Sequence, residues 1–129
     1  MIVEDEALLA LELECEVEAA GHEVVGLASS SGKAFEVIDQ AKPEFAFVDI
    51  QLEDGPTGID IGRRLADRNI PYVFVTGNLK RIPEDFAGAI GAIEKPYTMN
   101  GLQNALQYLH AVVVGSETSA PPPSLVIAS

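Results

Sequence analysis

The fold class this sequence predicts is α/β, a parallel sheet covered by helices on both faces. Two observations carry that prediction. Short runs rich in β-branched and aromatic residues, Glu23 to Ala28, Phe45 to Ile50 and Tyr72 to Thr76, alternate with stretches of helical character. In the last two runs apolar residues occupy successive positions, as in strands buried on both faces. Strands alternating with helices of about ten residues imply βαβ crossovers, and hence parallel pairing.

Met1-Ile2-Val3 supplies three residues of a first strand before the acids Glu4, Asp5 and Glu6. That strand looks clipped: either the domain tolerates a short one or the true start lies upstream. From Ala7 to Gly21 the alternation Leu11-Glu12-Leu13-Glu14-Cys15-Glu16-Val17-Glu18 has the period of a strand. Composition points the other way. The segment is built from strong helix formers, contains no Gly or Pro before Gly21, and ends at a Gly-His pair suited to a C-cap. It reads as helix, with Leu9, Leu13, Val17 and Ala20 as core stripe and Leu11 and Cys15 partly outside it.

Gly58 to Arg68 follows a Gly-Pro-Thr-Gly turn and reads as the next clear helix. After a loop from Gly77 to Ile82, Pro83-Glu84-Asp85 puts proline at a first helical position with acids behind it, which predicts a short, late-starting helix. Ala92-Ile93-Glu94 is the fifth strand. Met99, Leu102, Leu106, Leu109 and Val113 fall at helical spacing behind a Thr98 N-cap. The domain is therefore placed at 1–111. Residues 112–129, with three consecutive prolines, read as a flexible Pro-rich tail or the stub of a linker.

Hydrophobic residues make up 47% of the 129-residue chain and charged ones 22%, which indicates a globular domain rather than a disordered or fibrous chain. Eight basic against 20 acidic residues give a net charge of -12, a field that repels nucleic-acid phosphates. Cys15 is the one cysteine, so no internal disulfide forms, and no Cys or His cluster suggests zinc. No run approaches the roughly 18 apolar residues of a membrane span, and no basic n-region marks a secretory signal. A soluble, cytoplasmic protein without nucleic-acid or membrane partners is expected.

In parallel α/β sheets, ligands bind beyond the carboxyl ends of the strands. Here each such end carries a polar group: Glu4 and Asp5 after the first run, Asp49 near the end of the third, Thr76 ending the fourth, and Lys95 after the fifth. Taken singly, each has an ordinary reading. Asp49 would be a turn or N-cap residue, Glu4 and Asp5 solvated first-turn acids, Lys95 a surface charge. Together they form a chemical set. Three carboxylates at one rim repel unless a cation or proton is shared, and a hard divalent ion such as magnesium answers that need. A carboxylate can attack phosphorus to give an aspartyl phosphate, whose oxygens then require a metal, a cation and a hydroxyl.

The segments Ile2-Val3-Glu4-Asp5-Glu6, Phe47-Val48-Asp49-Ile50, Phe74-Val75-Thr76-Gly77 and Glu94-Lys95-Pro96-Tyr97 resemble the receiver domain of bacterial two-component response regulators, over about residues 1–111. The resemblance implies a flavodoxin-like, doubly wound five-stranded parallel sheet in order 2-1-3-4-5 with five helices. It implies Asp49 as phosphoacceptor and Mg2+ as cofactor, held by Asp5 and Asp49, by Glu4 through water, and by the Gln51 carbonyl. Thr76 and Lys95 would contact the phosphoryl group, and Lys95-Pro96 would be a cis peptide. The partners implied are a histidine kinase or histidine phosphotransfer protein and a downstream protein target, with room for a homodimer. Self-phosphorylation from small donors and autodephosphorylation would be its only chemistry, so it is not read as an enzyme.

Two departures from the family pattern matter. The aromatic switch residue expected three positions before the lysine is Ala92, and the proline expected four after the acceptor is Glu53. Tyr72 to Asn78 instead resembles a subgroup with a Phe-Ala-Thr-Gly-type motif associated with HWE-type histidine kinases. The signal is therefore expected to leave through Thr76 and Gly77, ordering the segment Gly77 to Ala89. Leu11 and Cys15 are candidate kinase contacts.

Other functions fit less well. A haloacid-dehalogenase-type phosphatase needs a second aspartate where this chain has Gln51. A flavodoxin-like cofactor binder needs phosphate-cradling donors where it has Glu4-Asp5-Glu6. A degenerate receiver serving only as an interaction module is the alternative that stays open, with the complete acid, threonine and lysine set weighing against it.

Overall fold

The structure, a computed structural model, describes residues 1–116 and 120–128. Its elements are β1 (Ile2–Val3), α1 (Ala7–Ala19), β2 (Leu27–Ala28), α2 (Ser31–Ala41), β3 (Ala46–Val48), α3 (Gly58–Asp67), β4 (Tyr72–Thr76), β5 (Gly91–Glu94), α4 (Met99–Val114) and β6 (Val126–Ile127). The sheet order is β2-β1-β3-β4-β5-β6. Its first five strands are parallel, in the order expected, and β6 joins antiparallel to β5.

Alternation along the strands sorts the core into two layers. Val3, Val48, Tyr72, Phe74 and Ala92 pack with α2 and α3 on one face. Ile2, Phe47, Val73, Val75 and Ile93 pack with α1 and α4 on the other. β3 and β4 are buried along their whole length, which is why they read as continuous apolar runs.

The segment 7–19 is helical, as its composition and not its period indicates. Leu13 and Val17 are buried with Ala10, Leu9 and Ala20 are half-buried, and Leu11 and Cys15 are exposed. Gly21 ends the helix at φ +93, donating to the Glu18 carbonyl at 2.9 Å while His22 reaches back to Val17 at 3.2 Å. Only glycine takes that conformation without strain.

Several expectations are corrected. β2 is two residues long rather than Glu23 to Ala28, because β1 offers only Ile2 and Val3 as ladder partners on that side. No α-helix starts at Pro83: two single 3-10 turns, Leu79–Arg81 and Phe86–Gly88, stand between β4 and β5, so the described residues hold four α-helices rather than five. The Phe86–Gly88 turn is fixed from below by the buried Tyr72 hydroxyl, which donates to the Ala87 carbonyl at 2.7 Å.

The segment expected as a flexible tail from 112 also differs. α4 runs on to Val114 and ends at Gly115 in the left-handed region. Farther on, Leu125 is buried among the α4 residues, Ser124 Oγ donates to the Gly101 carbonyl at 2.7 Å, and Val126 and Ile127 pair with Ala92 and Gly91. The cause is the apolar Leu-Val-Ile run, which covers the otherwise open edge of β5. The part of the tail reading that falls on 117–119 and 129 lies outside the described residues.

Candidate functional site

The carboxyl ends of β1, β3, β4 and β5 open into one cleft of about 650 Å³, whose walls include Asp5, Asp49, Gln51, Thr76, Gly77, Lys95 and Pro96. Parallel registry does the gathering. The Asp49 amide donates to the Val3 carbonyl at 2.9 Å and the Lys95 amide to the Thr76 carbonyl at 2.8 Å, so each polar residue sits beside the end of the neighbouring strand.

Asp49 is 7% exposed and Thr76 3%, the two buried polar or charged side chains among the described residues. One oxygen of Asp49, Oδ1, accepts the Ile50 amide at 2.8 Å, and Oδ2 accepts Lys95 Nζ at 3.0 Å. The same ammonium donates to Glu4 Oε1 at 2.9 Å. Glu4, Asp5 and Asp49 each offer a carboxylate oxygen within 4.8 Å of the others. Thr76 Oγ1 accepts the Asn78 amide at 3.1 Å, which turns the chain over the cleft. Lys95-Pro96 is cis.

One ammonium thus serves two carboxylates, with a third close by. Burial, reinforced by Asp49, pushes the Glu4 carboxyl up to about 7, and the ion pair with Lys95 offsets this only in part. For Lys95, burial acts downward, but its hydrogen bonds to Glu4 and Asp49 prevail and hold the ammonium above its ordinary value. Excess negative charge is the governing feature of the site. A hard divalent cation ligated by oxygen fits this donor set of Glu4, Asp5 and Asp49 and would relieve it.

The structure brings Glu4, Asp5, Asp49, Thr76 and Lys95 together. The Glu4 side chain is ion-paired with Lys95. Gln51 and Gly77 are exposed on the rim, and Gln51 Oε1 accepts from Arg81 Nη1 at 2.8 Å. Ala92 is away from the cleft, buried beside Phe74 in the α2 and α3 layer.

Two residues of consequence escaped sequence reasoning. Gly58 opens α3 with its amide on the Ile50 carbonyl at 3.0 Å, and a Cβ there would strike the Asp49 carbonyl oxygen. Its glycine was visible in the turn Gly-Pro-Thr-Gly, but the close approach was not. Arg81 was hidden because nothing in its neighbourhood marks it as facing the cleft.

A sequence model of the response regulator receiver domain matches residues 1–107. The chain belongs to that family. The phyllosphere-induced regulator PhyR of Methylorubrum extorquens is 37% identical over 83 residues, 63% of this receiver and 31% of that protein. The transcriptional regulatory protein PdtaR of Mycobacterium tuberculosis is 30% identical over 111 residues, 83% of this chain and 54% of the relative. Among solved structures, the response regulator PhyR from Brucella abortus aligns with a TM-score of 0.72 at 35% identity, covering 89% of this chain and 50% of that one. The receiver therefore spans between 31% and 54% of the length of these curated relatives. It is a receiver domain homologous to PhyR and PdtaR, a signalling domain rather than an enzyme of the ordinary kind. No described helix is long and apolar enough to cross a membrane.

Proposed function

We propose that this receiver takes a phosphoryl group on Asp49 from a histidine kinase or phosphotransfer protein, in a reaction that needs Mg2+. An Asp49 carboxylate oxygen bonds to phosphorus as the phosphorus–nitrogen bond of a phosphohistidine breaks and the imidazole leaves. Asp5 and Asp49 would hold the metal directly, with Glu4 through water and the Gln51 carbonyl completing the set, and the metal would supply charge neutralisation to the phosphoryl oxygens. Lys95 pairs with those oxygens and Thr76 turns its hydroxyl to them. The observation that carries this reading is Lys95 Nζ at 3.0 Å from Asp49, with Glu4 and Asp5 at the same rim.

Before any phosphoryl group arrives, Lys95 holds Asp49 and Glu4. Lys95 is thus already at the acceptor and is pre-positioned rather than recruited. The output leaves through Gly77 and the segment up to Ala89. The buried Ala92 offers no ring to swing inward. The cognate kinase is of the HWE type, docking on the α1 face where Leu11 is 53% exposed and Cys15 lies open. A cytoplasmic location and a downstream protein target complete the proposal; in Bartonella quintana the similar PhyR is an anti-anti-sigma factor.

Incubation with Mg2+ and a small phosphodonor, followed by intact mass measurement, tests the core of it. Wild type should gain one labile phosphoryl adduct and Asp49→Ala none. If neither a small donor nor a kinase produces an adduct, the domain is an interaction module and the proposal fails.

A further inference from the structure

We propose that Arg81 is a second cation for the phosphoryl group, held in reserve by Gln51 until Asp49 is phosphorylated. The inference rests on the reading of Asp49 as acceptor and extends it to the step that moves the chain.

Charge balance gives the motive. Glu4, Asp5 and Asp49 against Lys95 leave two negative charges at the strand ends, which one divalent cation offsets. Phosphorylation replaces the single charge of Asp49 by about two. One negative charge is then unmatched in a half-enclosed site, where it is costly. Among the described residues lining the cleft there are two cations, Lys95 and Arg81. Lys95 is already committed.

Arg81 is placed for the task. It ends the 3-10 turn Leu79–Arg81, which follows Thr76 by way of Gly77 and Asn78. Its Nη1 donates at 2.8 Å to Oε1 of Gln51, two residues beyond the acceptor, so the contact joins the loop after β3 to the loop after β4 across the mouth of the cleft. No ion pair links it to a described carboxylate. A guanidinium resting on a neutral amide gives up little on leaving it, and its planar fork suits a phosphoryl group better than an ammonium does. Moving from Gln51 to the phosphoryl oxygens draws residues 79–81 inward. This gives the domain a mechanical link that Ala92 cannot provide.

The test uses the full chain, Mg2+ and beryllofluoride as phosphoryl mimic, read by nuclear magnetic resonance. In wild type the mimic should shift the side-chain Nε–Hε signal of Arg81 together with the amides of 77–82. In Arg81→Ala the mimic should still shift the Asp49 and Thr76 amides, with roughly tenfold weaker affinity, the loss expected for one hydrogen bond to a charged group. The amides of 79–82 should then stay unmoved. Arg81→Lys should recover part of both effects. Lys80→Ala removes the neighbouring exposed cation and should match wild type; equal weakening there would reduce Arg81 to a contributor to the general field and overturn the assignment. Wild-type affinity of Arg81→Ala for the mimic, with the amides of 79–82 still shifting as they do in wild type, also overturns it. Failure of wild type itself to load would instead refute the acceptor role of Asp49.

Discussion

Replacing Gly58 by alanine puts a methyl group where the main chain of Asp49 and Ile50 already stands. Besides striking the Asp49 carbonyl oxygen, the new carbon would lie 2.6 Å from Ile50 Cα and 2.8 Å from the Asp49 carbonyl carbon. Backbone atoms cannot rotate aside as a side-chain tip can. Either α3 lifts off the sheet or the end of β3 is pushed back, by close to an ångström. Overpacking of this kind costs about 1–3 kcal/mol. Alanine returns up to about 1 kcal/mol through helix propensity and a less flexible unfolded chain. The net expectation is a loss of about 1–2 kcal/mol, which at a urea dependence of about 1.5–2 kcal/mol per molar lowers the midpoint by roughly 0.5–1 M. Gly32→Ala in α2 is the matched control. Nothing lies within 4 Å of its would-be Cβ, so the same substitution should be neutral or stabilising there, by up to about 1 kcal/mol. Because the displaced atoms belong to the acceptor, Gly58→Ala should also slow phosphoryl uptake from a small donor, while Gly32→Ala leaves it unchanged. Equal midpoints and equal uptake for the two variants would refute the close approach as the reason for glycine at 58.

Further perturbations probe the neighbouring parts. Tyr72→Phe removes a buried donor and orphans the Ala87 carbonyl, which should cost about 1–2 kcal/mol and speed amide exchange across 86–89; unaltered exchange would disprove the anchor. The Asp85 carboxyl is held below its ordinary value by the Ala87 amide and by Arg63, so its contribution is present above the unfolded pKa and is lost as acid takes the pH down through the lower folded one. An Ala87 amide resonance that stays fixed down to the acid limit would contradict this. Leu125→Ala should loosen β6 and lower stability by at most about 2 kcal/mol, since the strand can detach before the core opens; urea titration measures it. Leu11→Glu on the exposed face of α1 should slow kinase phosphotransfer without moving the unfolding midpoint, and a normal transfer rate would remove that face from the docking surface.

The parts of the fold that were legible are those where one element decides its own fate. β3 and β4 are buried on both faces, so their composition alone marks them, and α1 announces itself by helix formers despite a misleading period. β2 and β6 depend on a neighbour. The Val24-Val25 stretch has strand composition but no ladder to join, while Val126-Ile127 finds the edge of β5 from within a segment dominated by proline and serine. In the site, strand-end positions could be read from sequence because parallel strands deliver their carboxyl ends to one rim. The reach of Lys95 to Glu4 and the clearance at Gly58 could not, since both are distances between segments far apart in the chain.

The same division bears on how a signal would travel. The segment between β4 and β5 is tied at its far end: Tyr72 holds Ala87 from beneath, Arg63 meets Asp85 at 3.2 Å, and Phe86 and Ala87 are both fixed at positive φ. At its near end the Asn78 amide is tied back to Thr76, Leu79 and Ile82 pack against the core, and Arg81 reaches across to the other wall of the cleft. A pull applied at Thr76 or Arg81 would therefore be taken up by 77–82, with 85–88 acting as a fixed post. Ala92 fits this arrangement. It lies fully buried in one cluster with Phe74, Ala87 and Ala89, and it carries no ring to move. The expectation that phosphorylation acts on the whole of 77–89 accordingly narrows to its first half.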